Sequence, residues 1–159
     1  MTVSTAGLVP AIRKLSQESL QINLAISLHA PTDELRSQTM PINKKYPLKE
    51  LLVACQDYIS ATRRQVTFEY VLLSGVNDTQ MHARQLAELL KPLKQFAHVN
   101  CIPVNATSAD YRTPGPEAIR TFRNTLFEYG VSNSVRAERG DDIAAACGQL
   151  RTRFEQKSK

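Results

Sequence analysis

Val66-Thr67-Phe68-Glu69-Tyr70-Val71-Leu72-Leu73-Ser74-Gly75-Val76-Asn77-Asp78 is the stretch whose reading decides the fold class. Its first part is dominated by β-branched, aromatic and leucine side chains, the residues that fit a pleated, half-buried surface. Ser74 to Asp78 is turn chemistry, in which Asn77 or Asp78 accepts hydrogen bonds from free backbone amides at the start of a helix. Beyond it Leu86, Leu89, Leu90 and Leu93 recur at helical spacing. A strand, a tight turn and a helix in that order make one βα unit, and the rest of the chain repeats the alternation.

Working outward, strands are expected near Thr2 to Thr5, Ile22 to Leu28, Val66 to Leu73, His98 to Ile102 and Ser132 to Ala137. Leu48, Leu51, Leu52, Cys55, Tyr58 and Ile59 share one helical face, with Pro47 suited to the first turn. Ile119, Phe122, Leu126 and Tyr129 mark another helix, stopped by Gly130, and Thr32 caps a short one whose first turn holds Asp33 and Glu34. The pattern predicts an α/β fold, one domain over residues 1–159, with mostly parallel strands and helices outside. Five strands are too few to close a parallel barrel. Asn105 to Pro116 reads as a loop beyond a strand end, where such folds keep their chemistry.

The chain has 159 residues, 42% of them hydrophobic, which suffices for a packed core. A net charge of +5 and a pI near 9.3 suit a polyanionic partner, although so mild an excess does not by itself select nucleic acid. No apolar run is long enough to cross a bilayer and no basic-then-apolar leader opens the sequence, so a soluble, cytoplasmic protein is expected. Three cysteines, Cys55, Cys101 and Cys147, lie far apart, with neither a disulfide framework nor metal-ligand spacing.

Arg139-Gly140-Asp141-Asp142-Ile143-Ala144-Ala145-Ala146-Cys147-Gly148-Gln149-Leu150 places a thiol among small neighbours, which suits a covalent carrier. Periodicity also admits a core helix, since Ile143, Ala146, Cys147, Leu150 and Phe154 fall on one helical face. Gly140 and Gly148 bracket the segment with backbone freedom, and a loop carrying a reactive Cys147 is the expected arrangement. Ser27-Leu28-His29 ends a strand, so it stands at the C-terminal rim of the sheet. Glu69 interrupts an apolar strand, and a structural ion pair is the expected reason, with contact to a polar cofactor as the alternative. Lys44-Lys45 and Arg63-Arg64 read as solvated faces, whereas Arg136 and Arg139 flank the Cys147 segment and suit phosphate. Cys55 and Cys101 fit buried apolar positions.

The segment from Arg139 to Leu150, together with Ser4-Thr5-Ala6-Gly7, Ser27-Leu28-His29-Ala30, Met40-Pro41-Ile42-Asn43, Glu69-Tyr70-Val71, Gly75-Val76-Asn77-Asp78 and Ile102-Pro103-Val104-Asn105, resembles the RlmN/Cfr family of radical S-adenosylmethionine RNA methyltransferases, which act on adenine. The resemblance covers nearly the whole chain, in order, and lies closest to the branch acting at C2. It implies a partial (β/α) barrel of which this chain is the C-terminal half. It also implies S-adenosylmethionine as cofactor, bound by Ser4, Ser27, Leu28, His29 and Asn105, with Cys147 as the catalytic residue. One extra residue separates the Ser4 motif from the SLH motif relative to the family.

In such enzymes a CxxxCxxC motif holds a 4Fe-4S cluster; it is absent here, so the ligands would belong to a missing N-terminal half and the chain alone is expected to be inactive. The implied route methylates Cys147 from one cofactor molecule. A 5′-deoxyadenosyl radical from a second then activates that methyl group for addition to adenine. A second cysteine, from the other half, resolves the protein–RNA adduct. The implied partners are 23S ribosomal RNA and transfer RNA, the absent half, and other copies of the chain through its open sheet edge. A C8-acting relative and a non-catalytic S-adenosylmethionine or RNA binding module are the alternatives.

Overall fold

A computed structural model describes residues 1–105 and 110–136. Within them the five expected strands form as β1 (Thr2–Thr5), β2 (Asn23–Ser27), β3 (Val66–Leu72), β4 (Ala97–Pro103) and β5 (Ser132–Val135). They make one sheet in sequential order, and every neighbouring pair is parallel. Sequential order with right-handed crossovers puts the connecting helices on one face, the arrangement of a barrel wall rather than of a doubly wound sheet.

Those helices are α1 (Val9–Leu15), α2 (Asp33–Thr39), α3 (Leu48–Thr62), α4 (Gln80–Leu90) and α5 (Pro116–Glu128). Alternation along the strands separates the two faces. Val66, Phe68, Tyr70 and Leu72 of β3 and Ala97, Val99 and Cys101 of β4 join Leu51, Leu86, Leu90, Phe122 and Leu126 from the helices in one core. The intervening residues, Thr67, Glu69 and Val71 on β3 and His98, Asn100 and Ile102 on β4, are half-buried and face away from the helices.

Several local expectations give way. Thr79, not Asn77 or Asp78, caps α4: its hydroxyl accepts from the His82 amide while His82 Nδ1 accepts from the Thr79 amide. Asn77 and Asp78 are already engaged in the turn, where their side chains accept from the amides of Leu73 and Gly75. The α4 stripe stops at Leu90, and Lys91–Leu93 tightens into a 3-10 turn because Pro92 has no amide to continue the α pattern. Pro47 is the cap of α3 rather than part of its first turn. Tyr129 leaves the α5 stripe as an exposed C-cap ahead of Gly130, whose φ of 78° only glycine adopts freely. Cys55 and Cys101 are fully buried, as expected. Among the described residues no helix is long and apolar enough to cross a membrane.

Candidate functional site

The end of β2 turns across the C-terminal rim of the sheet. The amides of Leu28 and His29 both donate to the Glu69 carbonyl, at 2.9 and 3.3 Å, so the segment stays pinned to β3 after regular pairing ends. His29 adopts φ 60°, a left-handed conformation costly for a side-chain-bearing residue. Asn77 over-determines it. Its Nδ2 donates to the carbonyls of His29 (2.8 Å) and Val71 (2.7 Å), its Oδ1 accepts from Leu73, and the side chain is buried. Tyr70 Oη in turn donates to the Asn77 carbonyl.

The imidazole is equally constrained. Val71 N–H donates to His29 Nδ1 at 3.1 Å. Burial, assisted by the positive charge of Arg36, lowers the His29 pKa to about 4. The ring is therefore neutral at pH 7 and, with Nδ1 accepting, carries its proton on Nε2. That Nε2–H is buried and has no partner among the described residues. Ser27 Oγ shares this condition, in a residue only 1% exposed. Buried polar groups are nearly always satisfied, so two orphans in one triplet point to a ligand that supplies the acceptors.

A titration follows from the lowered pKa. The native state binds fewer protons than the unfolded chain between pH 6.5 and about 4, so His29 contributes stability that is lost as pH falls through that window. His29→Gln should remove this dependence: the stability gap between wild type and variant, measured by urea denaturation, should change by about 2 kcal/mol between pH 7 and pH 4.5. A gap independent of pH would contradict the neutral, buried imidazole.

Arg36 on α2 is the member of the site that the sequence did not announce. Its side chain is fully buried, and its guanidinium donates from Nε to Leu28 O (3.1 Å), from Nη1 to Asn43 Oδ1 (3.0 Å) and from Nη2 to both Ala6 O (2.7 Å) and Ser27 O (3.0 Å). One side chain thus joins the turn after β1, the end of β2 and the 3-10 turn Pro41–Lys44. Burial lowers its pKa to about 10, against the opposing pull of Asp33, which leaves it cationic at neutral pH. Asp33 receives bonds from Asn43 Nδ2 and Leu48 N–H. Gly7, at φ 108°, lies against the same group: a Cβ there would meet Arg36 Nη2 at 3.1 Å and Leu51 at 3.3 Å.

Ser27 and His29 come together with the end of β3. Leu28 turns its side chain into the core, leaving only its main chain at the rim. Ser4, on the edge strand β1, is exposed and pairs in register with Ala25, one row below Ser27 on the helix-free face. Asn105 is half-buried just beyond β4. Cys147 and Arg139 lie outside the described residues, and Arg136, after β5, is exposed. The ion pair expected of Glu69 does not form: among the described residues its half-buried carboxylate has neither a salt bridge nor a hydrogen bond, and the one ion pair found joins Glu117 to Arg120 on the surface. Across the helix-free face Ser27, Glu69, Asn100 and Ser134 follow one another in register. His98 bridges Ser132 and Ser134 through its two ring nitrogens, each at 2.8 Å.

No family model matches the chain. Similar proteins nevertheless extend along it. A probable dual-specificity RNA methyltransferase RlmN from Desulforudis audaxviator is 54% identical over 159 residues, covering 99% of this chain and 49% of that protein. The protein of the same name from Symbiobacterium thermophilum is 52% identical, covering 99% and 42%. The crystal structure of a radical SAM methyltransferase from Sphaerobacter thermophilus superposes with a TM-score of 0.87 at 50% identity, over 93% of this chain and 43% of that one. A domain of a pyruvate-formate lyase-activating enzyme from Bacteroides vulgatus, at 16% identity and a TM-score of 0.67, shares the fold alone. The chain spans about half the length of the curated relatives it matches.

Proposed function

We propose that this chain, which belongs with the radical S-adenosylmethionine RNA methyltransferases, supplies the cofactor-binding rim of an enzyme that methylates adenine in RNA. The relatives are named as dual-specificity RNA methyltransferases, which supports RNA as the substrate; C2 of adenosine in ribosomal and transfer RNA is the target that the motifs' resemblance implies. The observation that carries the cofactor reading is the pair of orphaned donors, Ser27 Oγ and His29 Nε2. S-adenosylmethionine offers carboxylate, ribose and ring-nitrogen acceptors that would satisfy both. When bound it supplies the one-carbon unit.

The chain's own residues hold and orient. His29, neutral and locked in one tautomer, presents a donor without bringing a charge beside a cationic cofactor. Ser27 presents a hydroxyl from the next position on that face. Ser4 and Asn105 are assigned to the same pocket from the ends of β1 and β4, and Leu28 through its main chain. Cys147 is assigned the role of covalent carrier by its motif. A 4Fe-4S cluster does not fit the described thiols: Cys55 and Cys101 are fully buried in the apolar core, and among the described residues no three His, Cys, Asp or Glu side chains gather as metal ligands.

Ser27→Ala separates function from stability. Removing an unsatisfied buried hydroxyl leaves the fold unchanged or slightly firmer, whereas losing a ligand contact weakens binding. Titration with S-adenosylmethionine followed by amide NMR should show about a tenfold loss of affinity at unchanged thermal stability. Equal affinity in variant and wild type would remove Ser27 from the site.

A further inference from the structure

The carboxylate of Glu69 remains after the cofactor donors have been assigned. On the reading that the helix-free face receives S-adenosylmethionine, we propose that Glu69 is the counter-charge to the sulfonium, and that it makes the site prefer the charged cofactor to its neutral thioether counterpart. Glu69 stands in register between Ser27 on β2 and Asn100 on β4, with Thr67 and Val71 two residues away along its own strand. The strand residues sharing this face are otherwise Thr2, Ser4, Asn23, Ala25, His98, Ile102, Ser132 and Ser134, so Glu69 is the one acid, and no lysine or arginine accompanies it there.

Glu69 stands half-buried with no salt-bridge partner among the described residues, so its carboxylate is open to a cation that arrives with a ligand. Ser27 Oγ, buried one strand away and without a partner among the described residues, is a donor that a ligand on this face would satisfy. A sulfonium is a permanent positive charge, and loss of its methyl group leaves a neutral sulfur with little other change of shape. A fixed carboxylate a few ångströms away, with little water between, acts on that difference alone.

Three ligands test the proposal on the whole 159-residue chain, each titrated with amide NMR as the readout. They are S-adenosylmethionine, the neutral S-adenosylhomocysteine, and sinefungin, which carries an amine in place of the sulfonium methyl. Wild type should prefer the two cationic ligands. Glu69→Gln, which keeps size and removes charge, should weaken both about tenfold while changing S-adenosylhomocysteine affinity less than about twofold. Glu69→Asp should restore part of the preference. Equal loss for all three ligands, as expected if Glu69 pairs within the protein, overturns the proposal, and so does no loss at all. If the ligands bind and depend on Ser27 but ignore Glu69, the counter-charge fails while the cofactor site stands. If wild type binds none of the three, the cofactor site itself fails and takes this inference with it.

Discussion

Replacing Arg36 with methionine should lower the stability of the fold by about 3–5 kcal/mol, the range for removing one side of a buried, charged hydrogen-bond network. Methionine approximates the volume of the aliphatic stem, so the loss comes from polar groups. The carbonyls of Ala6, Ser27 and Leu28 and the Oδ1 of Asn43 would each lose a donor in a place that water does not readily reach. Arg36→Lys keeps the charge but not the planar fork, and should cost about 2 kcal/mol because one ammonium cannot address acceptors in all these directions. The exposed pair of Arg120 and Glu117 sets the contrast: solvent screens it, and removing Glu117 should change stability by less than about 1 kcal/mol. Urea denaturation of the variants at pH 7 decides the order. A loss below about 1 kcal/mol for Arg36→Met would mean that the three segments hold together without their common donor.

The other large effect concerns activity. On the proposed role of Cys147 as covalent carrier, Cys147→Ala in a full-length protein that methylates RNA should reduce that activity by at least about a thousandfold. Cofactor and RNA binding should persist. Mass spectrometry of adenosine released from treated RNA reads the product directly, and residual turnover above a few per cent of wild type would end the assignment. Alkylation of the native chain gives a companion reading. Cys55 and Cys101 are buried, with thiols pushed up to about 12, so almost no thiolate is present at neutral pH and neither should react before unfolding. Rapid labelling of the folded chain should therefore fall on Cys147 alone.

The inner strands were legible because their apolar runs are long enough to show, as in Val66–Leu72, whose buried and half-buried residues follow one another without a break. Helix α1 was not legible: seven residues with Pro10 in the first turn and only Val9 and Ile12 buried show too little period. The cap of α4 was misplaced by one or two residues, since Asn77, Asp78 and Thr79 are all capable caps and only the turn's internal bonding decides among them. At the site, the SLH triplet and Asn105 were readable as motifs at strand ends. That Ser27 and His29 hold unpartnered donors was not, because satisfaction is a property of the surroundings. Arg36 was invisible for the same reason. Beside Asp33 and Glu34 it reads as an ordinary surface charge, and its burial depends on carbonyls brought from positions 6, 27 and 28. The nearest signal was Asn43, an amide in the Met40-Pro41-Ile42-Asn43 motif with no evident task until the guanidinium is placed against it.

Position 29 carries two requirements that pull in opposite directions. The backbone, at φ 60°, is best met by glycine, or by asparagine among side-chain-bearing residues. The imidazole's work, one nitrogen receiving the Val71 amide and the other carrying a buried proton with no partner among the described residues, is met by histidine. A substitution that relaxes the chain therefore silences the ring, and one that keeps a ring-like donor keeps the strain. Asn77 is what makes the compromise tenable, since it clamps the His29 carbonyl and leaves the left-handed turn no alternative shape. The two positions are thereby coupled, so the losses from changing His29 and Asn77 together should not equal the sum of the losses from changing each alone.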